Sequence, residues 1–532
     1  MAELFSNSAV GKDCVAVWLD GAWTVMDAMK TPARFVELQA RLAEINDLNK
    51  VAALLSWDQA VTMPPGGGAA RAEQMATVGR IAHERFIDPE VGRMLDDLAG
   101  YEASLPYESD EASLIRVIRR DYDKARLVPT DLRTEMTRTA SLARSAWASA
   151  RAANDFAAFL PHLQQTLDLK KRYIDCFPPA AEPYDVLLDD FERDMPTSEV
   201  RGIFDELKAA IVPLIAAVAE RRDAVDDSCL HGHFPVPQQR EVCLAILRRF
   251  GYTDREFRFD PTAHPFASNT ALGDIRLTTR YFEDFLAPSL FGSMHECGHG
   301  LYEHGISPAL ERSPLCRGTS LGIHESQSRL WENLVGRSRA AWRNFLPIVQ
   351  EAFPQMRGVD IETVYRAVNK VQPGLIRVEA DELTYGLHVI LRFELEQEML
   401  AGTIRLHELP EAWNARMKAY LGVDVPSDAD GVLQDVHWSL GYVGYFPTYV
   451  IGSIVSAQIW DRAVVDLPNL DEQFSRGEFL PLREWLREHL HRHGRKFTPK
   501  ETLQKVAGAD AVDVKPYVRY LTSKFGEIYR LA

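Results

Sequence analysis

At 532 residues, 46% hydrophobic and 26% charged, the chain can bury a large core, and length alone would allow about two to four domains. A formal net charge of −16 excludes general nucleic-acid binding, which needs basic patches to meet phosphate. No stretch approaches ~20 uninterrupted apolar residues, so no membrane span is expected, and Met1–Asp20 lack the basic start and apolar run of a secretory signal.

Residues 1–33 read as an N-terminal extension of unknown role, with Met26 or Met29 as a candidate natural start. From Arg34 the helical period sets in. Phe35, Leu38, Leu42 and Ile45 recur at three- and four-residue steps until Met63-Pro64-Pro65-Gly66-Gly67-Gly68 breaks the pattern. Met75, Val78 and Ile81 mark another helix, and Ala112–Lys124, Pro129–Asn154 and Phe156–Tyr173 follow. Thr197 or Ser198, with Glu199 close behind, is the expected cap of a helix running to Arg222. The period changes between Arg255 and Tyr281. Phe257 and Phe259 alternate with polar residues, and Ile275, Thr278 and Thr279 form a second extended stretch. A small sheet is expected there, with an edge able to hold an extended peptide. Helix then returns over Gly322–Arg337, Ile361–Val371, Arg377–Ala401 and Leu409–Leu421. The reading is a mainly α fold, one helical domain over 34–532 without repeats, with a small β-sheet beside the helix discussed next. The six cysteines are scattered, without CxxC pairing, which fits reduced thiols in a cytoplasm.

That helix carries His295-Glu296-Cys297-Gly298-His299. Residues i and i+4 share a helix face, so both imidazoles can point at one metal ion. Glu296, beside the first, is placed to deprotonate water, and two imidazoles with a carboxylate suit zinc with one open position. Pro288 and Ser289 supply a helix start, Gly305 and Pro308 a stop. Cys297 lies about 200° around the helix from His295 and reads as a packing residue. The bland alternative is a buried helix with two satisfied histidines. Downstream, a carboxylate in Ile323–Arg329 can return to the metal if the next helix packs antiparallel.

Several motifs occur together in order: His264-Pro265-Phe266, Asp274-Ile275-Arg276-Leu277-Thr278, the HExxH pentad, His324-Glu325-Ser326-Gln327, Ile376-Arg377-Val378-Glu379-Ala380-Asp381 and Gly431–Trp438. Trp57-Asp58-Gln59 and Gly444–Tyr449 add to the set. From Arg34 onward the sequence resembles the carboxypeptidase Taq family of zinc metallocarboxypeptidases. The resemblance implies a helical array with a deep central cleft, like neurolysin and angiotensin-converting enzyme. It implies one Zn2+ per subunit held by His295, His299 and Glu325, with Co2+ as a possible substitute, and Glu296 as general base. Single residues would be released from peptides with a free C-terminus, usually with broad specificity, and commonly by a homodimer.

Further roles follow from the required chemistry. A terminal carboxylate suits an arginine fork; Arg377 is the first choice and Arg276 the second, unless Arg377 merely pairs with Asp381 a helical turn on. His264 is a candidate contact for the substrate end. By similarity to the converting-enzyme arrangement, His437 and Tyr445 would face the developing oxyanion. Trp438 and Tyr449 read as packing groups, Asp274 and Asp435 as carboxylates orienting a ligand imidazole. His489, His491 and His493 read as a solvated basic turn. Two rivals stand beside this reading: an endo- or dipeptide-releasing peptidase on the same scaffold, and a non-catalytic zinc protein.

Overall fold

The computed structural model describes residues 31–531 and, before them, the backbone of an antiparallel strand pair, Cys14–Leu19 with Ala22–Asp27. The reading of 1–33 as an appendage with an internal start therefore falls largely outside the described residues. Over the rest the chain is a helical array with a small three-stranded sheet, as the sequence implies. None of the described helices is long and apolar enough to cross a membrane.

The helix Ala33–Val61 buries Phe35, Leu38, Leu42 and Ile45, the periodic positions of the sequence. They pack with Val91, Met94, Ile115 and Ile118 and with Ile306, Leu310 and Leu315 from the segment after the HExxH helix. A much larger core runs from Ala143 to Tyr529 and takes in Leu290, Met294, Cys297 and Leu301 of that helix. Cys297 is fully buried, a packing residue as expected.

In the sheet, Asp274–Thr279 is the central strand. It pairs in parallel with Phe257–Pro261 and antiparallel with Ala267–Ala271. The strand Ala267–Ala271 has no apolar alternation and is half-buried throughout, so it carries no periodic signal. Ile275 and Leu277 point at the HExxH helix, where Gly300 leaves no room for a Cβ: one would lie 2.7 Å from Leu277 Cδ2.

Three helix readings need correction. The helix expected over Arg377–Ala401 begins only at Tyr385, and Arg377–Glu379 is a separate 3-10 turn. Asp381 breaks the run, because its carboxylate accepts from the backbone N–H groups of Gln372, Leu383 and Thr384. Thr197 is not a cap: its hydroxyl donates to Asp185 Oδ1 at 2.5 Å, and Pro196 precedes a helix that ends at Ala219. The helix from Leu321 is α only to Arg329 and continues as a π-helix over Leu330–Val335.

Candidate metal centre

Two helices build the centre. The first, Ala287–His304, has Pro288 in its first turn and stops at Gly305. The second, Leu321–Arg329, is capped by Ser320, whose Oγ accepts from the Ile323 N–H at 3.1 Å. Burial of Glu192 places its carboxylate 2.8 Å from the Gly322 N–H, a second acceptor at the same terminus. Close approach is secured by glycine: a Cβ on Gly298 would lie 2.5 Å from Gln327 O. On the far side, Gly452 of the helix Pro447–Asp466 would place one 2.5 Å from Glu325 Cβ.

The result is convergence. Nε2 of His295 lies 3.6 Å and Nε2 of His299 3.4 Å from Glu325 Oε2, and the three groups offer ligand atoms all within 4.8 Å of one another. Each imidazole keeps 18% of its side-chain surface, so the group is recessed but reachable. Every other polar atom of the three is engaged elsewhere. His295 Nδ1 sits 2.9 Å from Glu332 Oε2, His299 Nδ1 2.6 Å from His324 Nδ1, and Glu325 Oε1 accepts from Arg329 Nε at 2.7 Å. The inward atoms are thus two nitrogens and one oxygen, a donor set that fits zinc with a position to spare.

Charge is arranged around that point. Burial opposes ionisation of Glu325, but Arg329 and the two imidazoles outweigh it and hold the carboxyl well below its usual range. Glu332 is treated alike: despite burial, Arg329, His295 and Arg337 hold it down to about 2. Glu296 differs. It is buried, takes part in no hydrogen bond or ion pair among the described residues, and burial pushes its carboxyl up to about 7.

A second cluster lies alongside. Tyr385 carries Arg329 over its ring at 4.2 Å, and its hydroxyl accepts from Arg377 Nη1 at 3.1 Å. Arg377 donates from Nε and Nη2 to Asp435 Oδ1 at 3.1 and 2.9 Å, and Arg392 pairs with the same carboxylate. Asp381 is therefore not the partner of Arg377. His437 Nε2 lies 3.3 Å from the Tyr449 hydroxyl, and burial lowers this imidazole to about 3, which keeps it neutral. Tyr445 stacks on Tyr442 with ring centres 5.6 Å apart and meets Tyr449 edge-on. Burial raises its phenol to about 12, with the Glu325 charge among the contributors.

The remaining candidates are placed differently. Arg276 forms a two-pronged pair with Asp274 at 3.0 and 2.8 Å and lies over the Trp57 ring at 4.4 Å. His264 is exposed and hydrogen-bonded to none of the described residues. Asp274 and Asp435 do not orient a ligand imidazole, because each is taken up by arginines. The groups that lie against the Nδ1 atoms of His295 and His299 are Glu332 and His324. Trp438 packs as expected, its indole N–H donating to Glu396 at 2.8 Å, whereas Tyr449 is more than packing through its bond to His437. His491 is not solvated: it is 1% exposed and lies 2.8 Å from Gln327 Oε1.

Glu303, His324, Arg329 and Glu332 adjoin the centre, and no role for them was legible in the sequence motifs. A signal existed, since His295, His299 and Glu303 fall at i, i+4 and i+8 on one helix, and Glu325, Arg329 and Glu332 at i, i+4 and i+7 on the next.

Two packed helices that bring two imidazoles and a carboxylate to one point, with the buried carboxyl of Glu296 one residue from His295, have the make-up of a metallopeptidase-type centre. The comparisons narrow the class. The family model for carboxypeptidase Taq (M32) metallopeptidases matches residues 37–525. Thermostable carboxypeptidase 1 of Thermus thermophilus is 40% identical over 491 residues, 91% of this chain and 96% of that protein. Carboxypeptidase 1 of Bacillus subtilis is 36% identical over 92% of this chain and 97% of that one. The crystal structure of the M32 carboxypeptidase from Deinococcus radiodurans superposes with a TM-score of 0.91 at 40% identity, covering 94% of this chain and all of that one. The chain belongs to the M32 carboxypeptidase Taq family. It is a metallocarboxypeptidase, a peptide hydrolase that requires a divalent metal.

Proposed function

We propose that this enzyme uses zinc to release single amino acids from the C-termini of peptides, with broad specificity and with Glu296 as general base. The observation that carries the reading is a buried carboxyl group without a partner among the described residues, one residue from an imidazole that converges with two further groups on one point. His295, His299 and Glu325 would hold the ion. When bound there, zinc supplies Lewis-acid polarisation of the scissile carbonyl and lowers the pKa of water toward ~7. Glu296, with no competing donor, accepts the proton of the attacking water and returns it to the departing amine. The neutral His437 and the protonated Tyr445 donate to the developing oxyanion.

Arg377 takes the substrate carboxylate. Three of its N–H groups are committed to Asp435 and Tyr385, which leaves two of the five that a guanidinium carries. Arg276 and His264 contact the chain further out. The family resemblance also supports a homodimer acting on peptides with a free C-terminus, and Co2+ as an alternative ion, while the scattered cysteines support a cytoplasmic location.

Glu296→Gln tests the centre. The variant is expected to keep its zinc by metal analysis and to lose about 10²–10⁴-fold in kcat. Near-normal turnover would overturn the base assignment. Product analysis on an unblocked peptide tests the bond cleaved: single residues released in order are expected, and dipeptides or internal fragments would refute the exopeptidase reading.

A further inference from the structure

The two imidazoles of the centre are supported in different ways. His295 hands its Nδ1 directly to a carboxylate, Glu332 at 2.9 Å. His299 instead meets a second imidazole, His324 Nδ1 at 2.6 Å, and His324 Nε2 lies 2.9 Å from Glu303 Oε1. Nothing in the reaction proposed above uses His324 or Glu303.

The positions of the hydrogens in this chain follow from the geometry. If Nε2 of His299, which faces Glu325 Oε2, offers its lone pair to an ion, its Nδ1 must carry the hydrogen. His324 Nδ1 is then an acceptor, so His324 Nε2 carries a hydrogen and donates to Glu303. Glu303 is suited to end the chain, since its other neighbours are donors. The Gly318 N–H reaches Oε1 at 3.1 Å, and Asn269 Nδ2 reaches Oε2 at 3.2 Å. The reverse polarity would put a hydrogen on His299 Nε2 and abolish its lone pair. Packing holds the middle ring in place: His324 lies against Tyr302 with centres 5.1 Å apart, and a Cβ on Gly318 would come within 2.7 Å of its Cδ2.

We propose that His324 and Glu303 are positioning residues that fix the tautomer and ring orientation of His299, through a one-directional hydrogen-bond chain from His299 through His324 to Glu303. The proposal rests on His299 being a metal ligand. The chain reaches the sheet as well. Asn269, on the strand Ala267–Ala271, joins Glu303 to Lys50 of the first helix, whose Nζ donates to Asn269 Oδ1 at 2.9 Å. One ligand is thereby tied to three elements outside the HExxH helix.

The test measures zinc affinity by chelator competition on the full chain, together with thermal unfolding of the metal-free protein. His324→Phe keeps a ring but no acceptor, and is expected to weaken zinc binding about 10–100-fold. His324→Gln retains a carbonyl able to accept from His299 Nδ1–H, and is expected to recover most of that loss. Glu303→Gln keeps an acceptor without the charge and is expected to fall between parent and His324→Phe. In the cobalt-substituted parent, two exchangeable imidazole N–H signals should appear among the shifted protons, and one of them should vanish in His324→Phe. Zinc affinity within about twofold of the parent in His324→Phe would overturn the proposal. So would equal losses in the Phe and Gln variants that track unfolding temperature, which would reduce His324 to a packing group. If the parent itself bound no zinc, the ligand assignment would fall first and the relay with it.

Discussion

Arg377 shows how far a single residue can be read. Its motif marks it as an arginine of consequence, but the partner suggested by spacing, Asp381, presumes a helix that Asp381 itself interrupts. The true partner, Asp435, lies in a separate motif, and no local pattern connects the two. The arrangement leads to a prediction for Arg377→Lys, which retains the positive charge and loses the planar fork. A charge-assisted hydrogen bond contributes roughly 1.5–3 kcal/mol, so kcat/KM on a peptide with a free C-terminus should fall about 10–100-fold. The same peptide with an amidated C-terminus should be little affected. Parallel kinetics on the pair check this, and unchanged discrimination would assign the carboxylate to another residue.

At the scale of elements, the long helices were legible because their buried positions recur at the helical period. What escaped were elements whose form depends on neighbours. The strand Ala267–Ala271 exists through pairing with Asp274–Thr279, and the π-helix Leu330–Val335 has no sequence signature, although it carries Glu332 toward His295. The crossing of the two site helices is equally invisible in the chain until the closeness of Gly298 to Gln327 is seen. An alanine at Gly298 must push the Gln327 backbone away from 2.5 Å, and is expected to cost about 1–3 kcal/mol, read as a lower unfolding temperature. Gly452→Ala presses instead on the Glu325 stem and should weaken zinc binding as well as stability. Unchanged unfolding in both variants would argue against so tight a crossing.

For the molecule as a whole, buried acids set opposing trends with pH. Glu396 accepts from the Tyr184 hydroxyl, the Trp438 indole and the Gly444 N–H, yet it is fully buried, and desolvation outweighs the three donors to raise its carboxyl from 4.5 to about 7. A raised carboxyl contributes stability that is complete below the unfolded pKa and is lost as pH rises through the folded one. The contribution should therefore fade between roughly pH 4.5 and 7. Glu396→Gln removes this dependence. Its amide must face a donor, a fixed penalty, but its stability relative to the parent should improve by on the order of 2–3 kcal/mol between pH 5 and pH 8. Denaturant unfolding at the two pH values checks this. Curves that shift in parallel would show that Glu396 is ionised throughout.

The sequence by itself determined the helical class, the HExxH face and, through ordered motifs, the family. These are properties of local period and of short strings, which survive without knowledge of contacts. Only the tertiary structure decided which side chain backs each imidazole, that Arg377 answers to Asp435, and that His491 is buried against Gln327. The physical reason is range. Helical periodicity links residues three or four apart, whereas hydrogen bonds around a metal centre join side chains from different elements, and their pairing is fixed only when the helices have packed.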